Sequence, residues 1–172
     1  MYDTSIRDAK GIGNNHYVNT SGRNDFKLSK VTYDKDNIYF YVETVEPITP
    51  YSDSFWMNLF IRVKGDKAHN KSWEGFQYIL SRGNVDKDYT RLERSKGGWD
   101  WEVVFDFVEY KVEGSKMELA IPLYALGLDY STGIDIEFKW FDNMQKEGDP
   151  LEFYLNGDCA PNERFSYSFT AG

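Results

Sequence analysis

The chain has 172 residues, 41% hydrophobic and 17% aromatic, with 20 basic against 28 acidic side chains and a net charge of −8. This length suits a single domain that buries its own core. An acidic surface repels phosphate, which disfavours nucleic-acid binding. One cysteine excludes an intrachain disulfide and, with two histidines, a four-ligand Cys/His zinc site. No apolar run approaches the roughly 20 residues of a membrane helix, so we expect no membrane insertion.

Polar sequence rich in Gly and Asn predicts an irregular N-terminal arm over residues 1–27. Beyond it, alternation with a period of two predicts strands at 28–33, 38–45, 55–63, 73–81, 89–94, 99–110, 116–121 and 134–141. Proline and glycine at its two ends predict a single helical turn at 122–127. Short strands separated by turn residues indicate one all-β domain over residues 1–172. We expect an antiparallel, two-sheet sandwich of jelly-roll or immunoglobulin-like type with one short helical turn.

Signals for catalysis are weak in this sequence. Cys159 has no partner nearby in sequence that would activate it, and no serine lies in a nucleophile elbow. The acidic pairs Asp135 with Glu137 and Asp100 with Glu102 each share a strand face, which leaves a two-carboxylate glycoside hydrolase or lyase open as a minor alternative. Solvated strands show the same pattern, so we expect no enzymatic activity.

Oxygen-bearing side chains near the C-terminus raise the question of a metal. Asp142, Asn143 and Asp158 are hard ligands of the kind that calcium prefers. The same residue types form turns without any metal. No cofactor is required by the sequence, and a structural calcium ion stays open.

Aromatic side chains are the strongest compositional signal. In the strand at 55–63, alternation puts Phe55 and Met57 on one face and Trp56 on the other. Aromatic rings beside amide and guanidinium groups match the apolar face and the hydroxyls of a sugar. The predicted ligand-binding set is Trp56, Asn58, Phe60, Arg62, Trp73, Gln77, Trp99 and Trp101. The alternative for each tryptophan is packing in the core.

Three segments, YDKDNIYFYVETVEP, DSFWMNLFIRV and MELAIPLYALGL, resemble the family 9 carbohydrate-binding modules and the wider DOMON-like sandwiches. The ending IEFKWFDNMQKEGDPLEFYLNGDCAPNERFSYSF is similar to C-terminal modules of large secreted bacterial proteins. The resemblance implies a β-sandwich with sugar bound in or beside a concave sheet, often with structural calcium. It also implies a saccharide clamped between two aromatic side chains, and Trp56 lies on the shared strand.

Within this ending, alternation with Ile134, Ile136 and Phe138 predicts that Trp140 packs in the core. We expect Arg164 to pair with Asp142 or Asp158. With Phe165 and Tyr167 packed beside them, these residues would form a structural lock.

The leading hypothesis is a non-catalytic carbohydrate-binding module of a larger exported bacterial protein. The expected partners are an oligo- or polysaccharide and neighbouring domains of the same protein, at an extracellular or cell-surface location. No signal peptide is recognisable in this sequence. The alternative is an ancillary structural domain that docks on a neighbouring catalytic domain and has no ligand of its own.

Overall fold

The structure, a computed structural model, describes residues 7–10 and 16–19 by their backbone and residues 22–65, 71–83, 86–154, 158–162 and 164–172 in full. Strands β1 (Arg7–Lys10) and β2 (His16–Asn19) pair in an antiparallel hairpin. The predicted irregular arm is therefore wrong in part, because it contains this hairpin and because β3 already begins at Phe26. Residues 1–6, 11–15 and 20–21 of that arm lie outside the described residues.

Within the described part of the chain, ten strands form one antiparallel sheet. They are β3 (Phe26–Tyr33), β4 (Asn37–Thr44), β5 (Asn58–Val63), β6 (Tyr78–Leu80), β7 (Tyr89–Gly97), β8 (Asp100–Glu113), β9 (Lys116–Pro122), β10 (Ile134–Asp142), β11 (Asp158–Ala160) and β12 (Tyr167–Ala171). The order is β11-β10-β5-β6-β7-β8-β9-β4-β3, with β12 also paired to β10. The prediction of an antiparallel all-β chain is confirmed. The nearly closed, barrel-like sheet does not confirm a division into two packed sheets.

Side chains close the sheet along the seam between β3 and the β10–β12 edge. The backbone N–H of Phe26 donates to Oδ2 of Asp158 at 2.8 Å, and Nε1 of Trp140 donates to Oγ of Ser29 at 3.0 Å. Further along, the rings of Tyr33 and Phe169 meet with centroids 6.0 Å apart. The seam therefore has side-chain contacts where a closed barrel would have a strand ladder.

Alternation along the strands fills the interior of the barrel. Ile38, Phe40 and Val42 of β4 are fully buried there, and Trp140 of β10 lies among them in the main core, as predicted. A second, outer cluster covers the opposite face of β5, β6 and β10. Its buried members are Phe60, Trp73, Phe76, Ile79, Trp101, Phe141, Met144, Phe153 and Cys159. Strand β5 is thus buried on both faces, which a period-two pattern alone does not reveal.

Short 3-10 turns complete the fold. The predicted turn at 122–127 is confirmed as Leu123–Leu126, ended by Gly127 in the left-handed region at φ 68°. The prediction of one turn is wrong, because the described residues also contain Trp73–Gly75, Tyr130–Thr132 and Pro150–Phe153. The first of these replaces the start of the strand predicted at 73–81. No helix of the described residues is long and apolar enough to cross a membrane.

The turn between β3 and β4 depends on the carboxylate of Asp34. Its Oδ1 accepts the backbone N–H groups of Asp36 and Asn37, both at 2.8 Å, and its Oδ2 accepts the hydroxyl of Tyr39 at 2.8 Å. These hydrogen bonds, first of all the one from Asp36, lower the pKa of Asp34 below its usual range. The charged form of Asp34 is therefore favoured in the folded state.

We expect Asp34→Asn to make the chain less stable than wild type at pH 7, with the difference shrinking below about pH 4. A pKa that is lower in the folded state stabilises above the unfolded-state pKa, and that contribution is lost as the pH falls through the folded-state pKa. Urea unfolding at pH 7, 5 and 3 measures this. The matched control is Asp36→Asn, whose side chain is largely exposed. A difference between wild type and Asp34→Asn that stays constant across this range would contradict the role of the charge.

Candidate functional site

A polar cleft of about 270 Å³ opens at the end of the barrel where β5 begins and β6 ends. We call it the Trp99 cleft. It is lined by Tyr51, Ser52, Asp53, Phe55, Trp56, Asn58, Ser81, Arg82, Trp99, Met144 and Glu147. Three of the predicted ligand-binding residues, Trp56, Asn58 and Trp99, are brought together here. Its volume lies just below the roughly 300 Å³ at which ligand pockets for drug-sized molecules begin, so it suits a small ligand.

Trp99 is held in place by its neighbours while remaining half-buried. Its ring stands edge-on to Trp73, with centroids 4.7 Å apart, and to Trp101 at 5.5 Å. Gly148 passes so close beneath it that a Cβ there would lie 2.7 Å from Cγ of Trp99. Since the carbonyl of Gly148 also accepts Nε1 of Trp73 at 3.0 Å, the orientation of the Trp99 ring is fixed before any ligand arrives.

Charged groups of both signs line the same cleft. The guanidinium of Arg82 donates to both oxygens of buried Glu93, from Nε at 3.0 Å and from Nη2 at 2.7 Å. Its Nη1 lies 3.9 Å from Oε2 of Glu147, which also accepts Nε1 of Trp99 at 3.4 Å. The hydrogen bond to Glu93 raises the pKa of Arg82. The bidentate pair fixes the guanidinium plane, so Arg82 and Glu147 present a donor and an acceptor side by side.

Strained backbone surrounds the cleft. Phe55 at φ 59° and Ser81 at φ 65° line it, and Asn143 at φ 65° precedes the lining residue Met144. The carbonyl of Phe55 is held by the N–H of Asn143 at 2.9 Å and by Nη2 of Arg23 at 3.1 Å. A left-handed conformation costs a bulky residue about 1–3 kcal/mol. Such strain is characteristic of binding and catalytic sites, and it is concentrated at this end of the barrel.

Several of the predicted ligand-binding residues are buried, and their positions do not favour a role as ligand contacts. Phe60, Trp73 and Trp101 pack in the outer cluster, because the 3-10 turns Trp73–Gly75 and Pro150–Phe153 cover that face of β5. Trp56 is also buried, with Nε1 donating to the carbonyl of Thr49 at 2.8 Å, and it contributes only to the cleft wall. Of the predicted tryptophans, Trp99 alone keeps a partly exposed ring.

Arg62 and Gln77 bond to the backbone. Arg62 donates to the carbonyls of Gly75 at 2.9 Å and Glu74 at 2.8 Å, and to the Glu137 carboxylate at 2.7 Å. Gln77 is buried and bonds both the N–H and the carbonyl of Val63, at 2.8 and 3.1 Å. Both side chains hold β5 against the segment that precedes β6, and neither lines the Trp99 cleft. Their predicted role as ligand contacts is therefore not supported by their position.

The predicted calcium ligands are engaged in protein contacts. Asp142 is fully buried and accepts Nε of Arg23 at 2.7 Å and Nδ2 of Asn24 at 3.0 Å. Asp158 accepts the Phe26 N–H across the seam. In the described residues, no group of three or more His, Cys, Asp or Glu side chains is placed to hold a metal ion. The backbone N–H of Asn143 donates to the carbonyl of Phe55 at 2.9 Å.

The C-terminal lock is not formed by the predicted residues. The ion pair of Asp142 is made by Arg23, whereas Arg164 is exposed and makes no ion pair within the described residues. Phe165 is 69% exposed, so its predicted packing is wrong. Its carbonyl and that of Pro161 instead accept Nζ of buried Lys139. Tyr167 is partly exposed, with its ring 5.4 Å from that of Phe138.

Sequence reasoning missed several polar members of the cleft. Arg82, Glu147, Asp53 and Tyr51 lie in polar loop sequence whose composition resembles that of any solvated loop. Only the fold brings the loop before β5, the end of β6 and the loop after β10 to one place.

Comparison of the chain with protein-family models, with curated proteins and with solved structures found no match in any of the three.

Proposed function

We propose that this chain is a non-catalytic carbohydrate-binding domain that holds one sugar residue in the Trp99 cleft. The observation that carries the proposal is the placement of a pre-oriented, half-buried indole beside a guanidinium and a carboxylate in one small cleft. An indole face packs against the C–H face of a pyranose ring. Arg82 can donate to hydroxyl groups, and Glu147 and Asp53 can accept from them.

The resemblance to family 9 carbohydrate-binding modules belongs to the same proposal and rests on the quoted segments of sequence. From that resemblance we also propose a two-sheet sandwich, an extracellular or cell-surface location and membership of a larger exported bacterial protein. The cleft does not require them. A polar cleft of this size with charges of both signs supports a neutral, hydroxyl-rich ligand on its own physical grounds.

Titration of the chain with a panel of mono- and oligosaccharides, followed by calorimetry or NMR shifts, tests the proposal. We expect Trp99→Ala to weaken binding by at least about tenfold, or roughly 1.4 kcal/mol. Glu147→Ala should weaken binding without loss of stability, because this side chain is largely exposed. The matched control is Phe107→Ala, an exposed aromatic residue on β8. Absence of binding by every sugar, or binding unchanged in both cleft variants, would refute the proposal.

A second candidate function is docking on a neighbouring domain, and a patch on β8 favours it. Phe107 is 62% exposed and Tyr124 is 72% exposed, while Val103 and Val104 are also exposed. Tyr124 lies in the turn Leu123–Leu126, and its ring stands edge-on to Phe105 of β8 with centroids 6.1 Å apart. Several exposed apolar side chains along one strand are a feature of interaction sites. Hydrogen exchange would show residues 102–108 protected when a neighbouring domain is attached, and equal exchange with and without it would exclude this function.

A further inference from the structure

A second concave surface lies on the outer face of the sheet, away from the Trp99 cleft. It is an open groove of about 760 Å³ across β3, β4, β9 and β8. Its lining comprises Lys30, Val31, Thr32, Tyr39, Phe40, Tyr41, Glu109, Tyr110, Lys111, Glu118, Leu119 and Ala120. Because the inward-facing members of this set belong to the core, the ligand-accessible side chains are those that alternate with them.

Strand register orders these outward side chains in two rows. One row runs Thr32, Tyr39, Ala120, Glu109 across the four strands, and the next runs Lys30, Tyr41, Glu118, Lys111. The two tyrosines therefore lie on one face of β4, two residues or about 6.7 Å apart. Each ring is half-buried. The groove thus contains a pair of tyrosines in line along the strand, with Nζ of Lys30 over the Tyr41 ring at 5.6 Å from its centroid.

Both tyrosine rings are held before any ligand arrives. The hydroxyl of Tyr39 donates to Oδ2 of Asp34 at 2.8 Å, and that of Tyr41 donates to Oε2 of Glu43 at 3.2 Å. Ala120, directly opposite Tyr39, carries only a methyl group, so no bulky side chain stands at that neighbouring position. Fixed aromatic rings lose little conformational freedom on binding, which favours affinity.

The charge of the groove indicates what kind of ligand it takes. Its outward side chains include two lysines, Lys30 and Lys111, and two glutamates, Glu109 and Glu118. The groove is therefore balanced in charge although the whole chain carries −8. Balanced donors and acceptors around the half-buried rings suit an uncharged ligand rich in hydroxyl groups better than a polyanion or a polycation.

We propose that this groove binds a stretch of a linear, neutral polysaccharide, with successive sugar rings on Tyr41 and Tyr39. The inference rests on the proposed function and deepens it, since the Trp99 cleft would take a single sugar residue and the groove an internal stretch of chain. The two surfaces then differ in their ligands. Short sugars report on the cleft, and polymers report on the groove.

Affinity electrophoresis in gels containing soluble hydroxyethyl cellulose, xylan or galactomannan tests the inference. We expect the double variant Tyr39→Ala/Tyr41→Ala to lose at least about tenfold in polymer affinity while its binding of short sugars is unchanged. Ala120→Gln, which places a longer side chain beside Tyr39 without removing either ring, should weaken polymer binding as well. Tyr124→Ala is the matched control, because it removes an exposed tyrosine elsewhere.

The two proposals fail in different ways. Polymer binding that is absent in wild type, or equal in wild type and both groove variants, overturns the inference. If Trp99→Ala loses the binding of short sugars, the proposal that the Trp99 cleft binds sugar is still supported. Conversely, polymer binding that depends on the tyrosines in a chain that binds no short sugar would support the groove and refute the cleft. Thermal unfolding of each variant shows that a lost affinity is not lost folding.

Discussion

Replacing Asp142 with alanine is expected to lower the free energy of unfolding by about 1–3 kcal/mol, the range for removing the acceptor of hydrogen bonds in a buried setting. Asp142 is fully buried at the end of β10 and accepts Nε and Nη2 of Arg23, at 2.7 and 3.2 Å. It also accepts Nδ2 of Asn24 at 3.0 Å. Without it, Arg23 keeps the Phe55 carbonyl and Asn24 keeps Oγ1 of Thr49 as acceptors, but each loses its contact with the carboxylate. The segment that leads into β3 thereby loses one of its anchors.

Asp142→Asn is the matched variant, because it keeps one oxygen acceptor for Asn24 and removes the charge. We expect its loss of stability to be smaller than that of Asp142→Ala. Urea unfolding of both variants measures the difference. A loss below about 1 kcal/mol in Asp142→Ala would contradict the structural role of this carboxylate.

The pH dependence of Asp142 should be opposite in sign to that of Asp34. Burial raises the pKa of Asp142 above its ordinary value, although Arg23 acts against this shift. A pKa raised in the folded state contributes stability below the unfolded-state pKa, and that contribution is lost as the pH rises through the folded-state pKa. The penalty of Asp142→Ala should therefore not shrink between pH 7 and pH 4. A penalty that falls on acidification would show that the pairing with Arg23 outweighs desolvation.

The sequence predicts most strands because alternation of β-branched and aromatic residues is a local property. The strand predicted at 38–45 is found as β4 (Asn37–Thr44), and the one at 134–141 as β10 (Ile134–Asp142). The strand predicted from Phe55 begins only at Asn58, because Phe55 takes a left-handed conformation that breaks the extended backbone. Trp56 thereby enters the core that its predicted face would have avoided.

The candidate site was less predictable because its members come together only in three dimensions. Alternation shows which residues share a face, but not whether a second layer covers that face. Trp99 was identified from composition, whereas Arg82 and Glu147 carried no local signal. The C-terminal segment shows the same difference. Alternation predicts that Trp140 is buried, but the ion-pair partner of Asp142 is Arg23, which lies 119 residues away in the sequence.

Truncation of Phe60 tests whether the aromatic residues on β5 contact a ligand or pack in the interior. It is the second large effect expected. We expect Phe60→Ala to lower the free energy of unfolding by about 3–5 kcal/mol, as for other fully buried phenylalanines. The ring is fully buried, with centroids 5.1 Å from Trp73, 5.4 Å from Phe76 and 6.0 Å from Phe153. Removing it opens a cavity at the centre of the outer cluster, whose cost adds to the lost burial.

Phe60→Leu and Phe107→Ala are the matched controls for this prediction. Leucine refills most of the volume and should cost less than alanine. Phe107 is exposed, so its truncation should change stability by no more than about 0.5 kcal/mol. Because Trp99 packs against Phe60, with centroids 6.4 Å apart, Phe60→Ala should also weaken sugar binding, but only by loosening Trp99. Weaker binding at unchanged stability would instead make Phe60 a direct ligand contact and would contradict its place in the outer cluster.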